Sequence, residues 1–256
     1  MRALIVRILV LSTLVYVGLG VALYSLQRNL LYHPTPPANG SAVPVEALRV
    51  DSGAAALQIW RLNPGHERAI IYFGGNAESV LANASMFDRV FDDATVYLTE
   101  YRGFGGSSGE PSEAALYADA KAIYDHFAER HTRIAVIGRS LGSGVATYLA
   151  AVRTVDRIAL VTPYDSVEAV AAGRYPIYPI SLMLKDKFRS INYMREIDTP
   201  TLVLIAERDR TIPRMHTDAL IDAFGGTELS SFVLQGTMHH TVGESPRYAT
   251  LLGEFL

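Results

Sequence analysis

The sequence predicts an α/β protein with a mostly parallel central sheet covered by helices on both faces, preceded by one N-terminal transmembrane helix. Three observations carry this. Short β-rich runs alternate with helical patterns from residue 45 to the end. Several of those runs, such as IAVI and TLVLI, are apolar throughout and fit strands covered on both sides. The first thirty residues hold a long stretch without charge.

That stretch is Ile8–Leu26, and at about 1.5 Å per residue it matches the ~30 Å hydrocarbon core of a bilayer. Residues 1–30 are therefore read as a membrane anchor. A cleaved signal peptide is the alternative. However, the apolar run exceeds the usual ~7–15-residue core of such signals and ends without a small-x-small site. Arg2, Arg7 and the α-amino group precede the run and Arg28 follows it, a bias that puts the N-terminus inside. The rest of the chain is then expected on the periplasmic or extracytoplasmic side.

Residues 31–44 contain four prolines together with Asn39, Gly40 and Ser41, and read as a linker that lifts the domain off the membrane. Residues 45–256 form one expected domain, long enough to bury a core without staples. It opens with a hairpin, Ala47–Val50 and Leu57–Leu62, turning at Asp51-Ser52-Gly53. Further strands are expected at Ala69–Phe73, Thr95–Tyr101, Ile134–Ile137, Arg157–Val161, Thr201–Ile205 and Ser230–Leu234. Helices are expected at 77–90, 112–130, 141–153, 213–224 and 245–255. Residues 165–198, rich in Tyr, Pro and Met, are too long for a plain connection and read as a lid-like insertion or a packed helix pair.

The chain has no cysteine, which excludes disulfides, thiolate metal sites and a Cys nucleophile. A net charge of −3 leaves no basic surplus to neutralise phosphates, so nucleic acid is not an expected partner. No metal or organic cofactor is implied, and the oligomeric state is not legible.

The pattern G-x-S-x-G occurs at Gly138–Gly142 and at Gly105–Gly109. Only Ser140 stands between a strand-like run and a helix of small residues, where a tight turn can lift the hydroxyl clear of the sheet. Ser107 is followed by Gly-Glu-Pro, and Gly103–Gly109 reads as a flexible loop. A serine hydroxyl needs a base, and the base needs an orienting carboxylate. His239 and His240 follow the last strand and are the candidate bases, whereas His216 falls in a helix and is expected to face solvent. Asp209 ends the TLVLIAE strand and is the candidate acid, with Asp165 and neighbouring Glu207 as alternatives. The oxyanion donors are expected to be the main-chain N–H groups of Leu141 and Asn76. The Asn76 side chain could instead cap the following helix.

Phe73–Ala77, Tyr101–Glu113, Gly138–Gly144, Asp209–Pro213 and Gly236–His239, together with Gln27–Pro34 after the anchor, resemble the motifs of small membrane-anchored α/β-hydrolase-domain serine hydrolases. That branch includes bacterial and fungal members and animal protein depalmitoylases. The resemblance spans nearly the whole chain, with the motifs in the family's order. It implies the α/β-hydrolase fold and a Ser140–His239–Asp209 triad. Here His239 takes the family's histidine position and His240 stands where Asn is usual. The chain departs from the family at Gly74, where His is usual. The expected activity is ester or thioester hydrolysis through an acyl-enzyme. A serine peptidase and a catalytically inactive binding module are the alternatives. No residue of these motifs precedes Phe73 apart from the Gln27–Pro34 stretch, so a chain starting near Pro44 is expected to hydrolyse small esters.

Overall fold

The computed structural model describes residues 1–38 and 40–256; Asn39 of the proposed linker lies outside the described residues. One eight-stranded sheet organises the chain, in the order β1-β2-β4-β3-β5-β6-β7-β8. The strands are β1 Glu46–Ser52, β2 Ala55–Leu62, β3 Arg68–Phe73, β4 Thr95–Thr99, β5 Arg133–Arg139, β6 Ile158–Val161, β7 Thr201–Ala206 and β8 Leu229–Leu234. β1 and β2 are antiparallel, as are β2 and β4, and every pairing from β4 onward is parallel. The hairpin turns later than expected. Ser52 pairs with Ala55, so the turn is the two residues Gly53-Ala54, with Gly53 at φ +59°.

Alternation along the parallel strands builds two cores. Ile71, Phe73, Tyr97 and Val136 point to one face, and Ile70, Tyr72, Val96, Leu98 and Ala135 point to the other. The first face is covered by α3 (Glu113–Ala128) and α4 (Leu141–Val152); the second by α2 (Ala84–Val90) and α9 (Pro246–Phe255). Burial on both faces explains why these strands read as continuous apolar runs. Strand β4 stops at Thr99, two residues before the expected end, where Glu100 leaves the β3 ladder.

The expected helix over 77–90 begins only at Val80, as a single 3-10 turn before α2. Residues 75–78 are held instead in a turn, with Glu78 N–H donating to Gly75 O and the Glu78 carboxylate accepting from Gly75 N–H. The insertion contains three short helices, α5 (Val167–Arg174), α6 (Ile180–Met183) and α7 (Ser190–Met194). Between β7 and β8 lies α8 (Arg214–Asp222).

The N-terminal helix α1 spans Arg2–Leu31, and it is long and apolar enough to cross a membrane by length and composition. The segment after it is irregular, as four prolines require, yet it does not stand off the domain. Tyr32 is buried in the core, and His33 N–H donates to Asn76 O at 3.1 Å. Thr35 O accepts from Gly105 N–H at 3.0 Å, and Val43 and Val45 pack on the second core. Burying a tyrosine removes enough apolar surface to hold the segment down, which proline content alone does not reveal.

Candidate active site

Ser140 sits where β5 gives way to α4, with φ +50° and ψ −116°. A non-glycine residue held there is strained, and the turn that strains it raises the hydroxyl above the sheet. The flanking glycines are required by contact. A Cβ on Gly138 would lie 2.4 Å from Gly142 O, and one on Gly142 would lie 2.1 Å from Phe73 O. Ser140 N–H still donates to Val161 O at 2.9 Å, so the strand pairing runs to the elbow itself.

The Ser140 Oγ lies 2.8 Å from His239 Nε2, and His239 Nδ1 lies 2.7 Å from Asp209 Oδ2. With Nδ1–H donating to the carboxylate, the Nε2 lone pair is free to accept the serine proton. Asp209 is fixed in turn, because its Oδ1 accepts from the N–H groups of Thr211 (2.9 Å) and Ile212 (2.8 Å). The three groups come from loops after β5, β7 and β8, at the carboxyl ends of the strands.

The alternatives do not reach Ser140. His240 is exposed and borders the same depression, but its ring makes no hydrogen bond among the described residues and its carbonyl accepts from Arg139 at 3.2 Å. Glu207 accepts from Gly236 N–H at 2.8 Å. Asp165 pairs with His216, whose Nδ1 is 3.0 Å from its Oδ1; His216 is thus buried rather than solvent-facing. The helical position alone does not show that α8 turns this residue inward, because the carboxylate that receives it lies about fifty residues earlier. Ser107 is also buried, accepting from Gln58 N–H and donating to Glu100 O, which ties down the loop expected to be flexible.

Leu141 opens α4, where first-turn N–H groups have no partner within the helix. Across from it, the 75–78 turn lines a depression shared with Ser140, Arg139, His239 and His240. Gly75 N–H is taken by Glu78, which leaves Asn76 N–H as the loop's candidate donor. The Asn76 side chain does not cap α2; its amide donates to Leu31 O at 2.9 Å.

Sequence reasoning missed Glu78. Its carboxylate accepts from Gly75 N–H (2.7 Å), Tyr72 OH (2.5 Å) and Asn83 (2.6 Å), and pairs with Arg139 at 3.3 Å. It thereby clamps the loop opposite Ser140. The available signal was an acidic residue three positions after Gly75, the spacing that lets a side chain close a turn. Among the described residues, no cluster of His, Cys, Asp and Glu could hold a metal ion.

Residues 68–176 match the family model of the alpha/beta hydrolase fold. An uncharacterized protein of Mycobacterium tuberculosis is 29% identical over 84% of this chain and 82% of its own length. Human protein ABHD12B is 30% identical over 73% of this chain and 60% of its own length. Among solved structures, the Pyrococcus furiosus esterase Pf2001 superposes with a TM-score of 0.69 at 17% identity, covering 88% of this chain and 96% of that one. By sequence the chain is similar to α/β-hydrolase-domain proteins, and its fold is the α/β-hydrolase fold.

Proposed function

We propose that the protein is a membrane-anchored serine hydrolase that cleaves carboxylic ester or thioester bonds through an acyl-enzyme. The observation that carries this reading is the relay Ser140–His239–Asp209, two contacts of 2.8 and 2.7 Å on a strained elbow. Ser140 Oγ attacks the carbonyl carbon while its proton passes to His239 Nε2. Asp209 holds Nδ1–H and stabilises the imidazolium. The carbonyl oxygen gains the negative charge and takes hydrogen bonds from Leu141 and Asn76 N–H. His239 then protonates the departing alcohol or thiol. Water repeats the sequence in reverse, its proton passing to His239 and then to Ser140 as the acid leaves.

Residues 1–30 anchor the chain, with 8–26 in the bilayer, and 45–256 form the catalytic domain on the periplasmic or extracytoplasmic side. The arginines before the apolar run support that orientation. A fluorophosphonate probe tests the reading. It should label wild type at Ser140 and leave Ser140→Ala unlabelled, with turnover down by about 10⁴–10⁶-fold. A panel of acyl esters, acyl thioesters and peptides then assigns the bond. Labelling at any other serine would discard the assignment.

A further inference from the structure

Helix α1 is not a free tether. Gly20, Leu23, Gln27 and Leu31, spaced 3-4-4 and so on one face, are the partly buried positions of its second half. That face meets the insertion. The Tyr16 and Tyr178 rings stack with centroids 4.8 Å apart. Tyr16 OH donates to Ile177 O at 2.9 Å, and Tyr178 OH donates to Tyr16 O at 3.1 Å. Gly20 makes room, since a Cβ there would sit 3.1 Å from Tyr178 Cε1.

The height of this contact matters. Tyr16 lies ten residues, about 15 Å, inside the catalytic-side end of the charge-free run Ile8–Leu26. The insertion's tip therefore climbs beside α1 to hydrocarbon depth. Its composition suits that position. No charge occurs from Tyr175 to Leu184, and Ile177 and Leu182 are 68% and 84% exposed. Charges resume at Lys185 and Asp186, level with Gln27 and Arg28, which follow the charge-free run of α1. There Lys185 N–H donates to Gln27 Oε1 at 2.7 Å, and Arg28 pairs with Asp186 at 2.8 Å.

Backbone chemistry agrees. Non-helical chain at membrane depth must satisfy its own polar groups. Pro176 and Pro179 have no N–H, and the N–H groups of Tyr175, Tyr178, Ile180, Leu182, Met183 and Leu184 donate to carbonyls of residues 171–180. Of the tip's ten residues, only Ile177 and Ser181 have an N–H without a backbone partner among the described residues, and Ser181 O accepts from Lys187 at the tip's base. Ile177 O is covered by Tyr16.

Between α1 and the insertion runs an apolar cleft, lined by Leu23, Leu30, Val167, Ala171, Ile180 and Met183 among others. It reaches Leu31, whose carbonyl holds the side chain of Asn76, and Asn76 borders the depression around Ser140. We propose that the tip Tyr175–Leu184 enters the bilayer beside α1, and that this cleft takes the acyl chain of a membrane-resident substrate while its carbonyl lies at Ser140. The substrate half rests on the hydrolase reading; the insertion half stands without it. The anchor is then one wall of the binding site, and the chain enters sideways from lipid.

The absence of cysteine makes the test direct. Ile177→Cys, Leu182→Cys and, at the exposed residue just past α3, Glu129→Cys each give a single nitroxide site on the full chain in phosphatidylcholine–phosphatidylglycerol vesicles. Labels at 177 and 182 should collide with oxygen far more than with a water-soluble nickel complex, and the label at 129 should do the reverse. Water-like behaviour at 177 and 182 overturns the insertion. For the cleft, kcat/KM is compared for hexadecanoyl and butyryl esters. Ala171→Phe should lower that ratio by tenfold or more, and Met183→Ala should move the chain-length plateau to longer acyl groups. Equal losses at every chain length, or an unchanged ratio in both variants at unchanged Tm, overturn the acyl site. Failure of wild type to react with fluorophosphonate at Ser140 would instead discard the hydrolase reading and leave the nitroxide result standing.

Discussion

The side-chain amide of Asn76 donates to the carbonyl of Leu31 across 2.9 Å, joining the loop opposite Ser140 to the last turn of the apolar helix. His33 N–H returns a bond to Asn76 O, so the loop is gripped from both of its polar ends. The residue proposed to supply an oxyanion N–H is therefore held by the end of the apolar helix and the segment that follows it.

Removing that part should damage the site, which revises the sequence expectation that a chain starting near Pro44 keeps its activity on small esters. A chain beginning at Pro44 loses the buried Tyr32, both ties to Asn76 and the Arg28–Asp186 pair. It is expected to be less stable, by on the order of 3–5 kcal/mol for the lost aromatic burial alone, hence to melt at a lower temperature, and to hydrolyse acetyl esters poorly. A chain beginning at Leu26 keeps all four contacts and should behave as the full chain does. Melting curves and acetyl-ester turnover of the two decide this, and equal behaviour would mean that the ties are dispensable.

The paired histidines separate cleanly. His239→Ala should drop kcat by several thousand-fold, because no other base reaches Ser140 Oγ. His240→Asn should remain active, since that residue contributes its carbonyl to Arg139 and its ring is exposed. Steady-state kinetics on a short ester, with probe labelling alongside, is the measurement.

Glu78 is expected to act on turnover rather than on binding. Glu78→Ala frees Gly75 N–H and releases the loop that carries Asn76, so kcat should fall by roughly 10–100-fold with KM little changed. Glu78→Gln keeps one acceptor oxygen and should recover part of the rate. A loss confined to KM would show that the loop positions substrate and not the oxyanion.

Glu100 makes stability depend on pH. Burial pushes its carboxyl up from 4.5 to about 7, partly offset by the hydrogen bond from Trp60. Below about pH 4.5 the group is neutral folded or unfolded, and no penalty arises. As pH rises from there through 7, the unfolded chain releases the proton before the folded one does, so stability falls. Above 7 the cost is complete, roughly 3 kcal/mol at about 1.4 kcal/mol per unit. Glu100→Gln removes it. The variant's urea midpoint should exceed that of wild type at pH 8 and match it at pH 4.

Much of this architecture was legible because it is periodic or punctuated. The strand runs, the hairpin and the elbow at Ser140 follow from apolar alternation and from glycines at fixed offsets. Asp209 and the His239–His240 pair were reachable because each lies in the loop after a strand, and the family resemblance singled out His239. What escaped depends on contacts remote in sequence. His216 turns inward to meet Asp165, and the chain after α1 docks because Tyr32 is buried in the core. The late start of the helix before α2 reflects a competition that Glu78 wins by closing its own turn. Local pattern cannot register such partners.

The docking of α1 also sets a height. A lone anchor can spin about its axis and let its cargo sway, but the Arg28–Asp186 pair, the Gln27–Lys185 bond and the Tyr16–Tyr178 stack fix rotation as well as position. Leu31 then lies five residues, about 7.5 Å, beyond the end of the apolar run, and the loop opposite Ser140 is tied to that residue. On the proposed anchored reading, the molecule works as a gauge held against the membrane surface: bonds presented near the headgroup plane come within its reach, and chemically identical bonds carried tens of ångströms out on a folded domain do not.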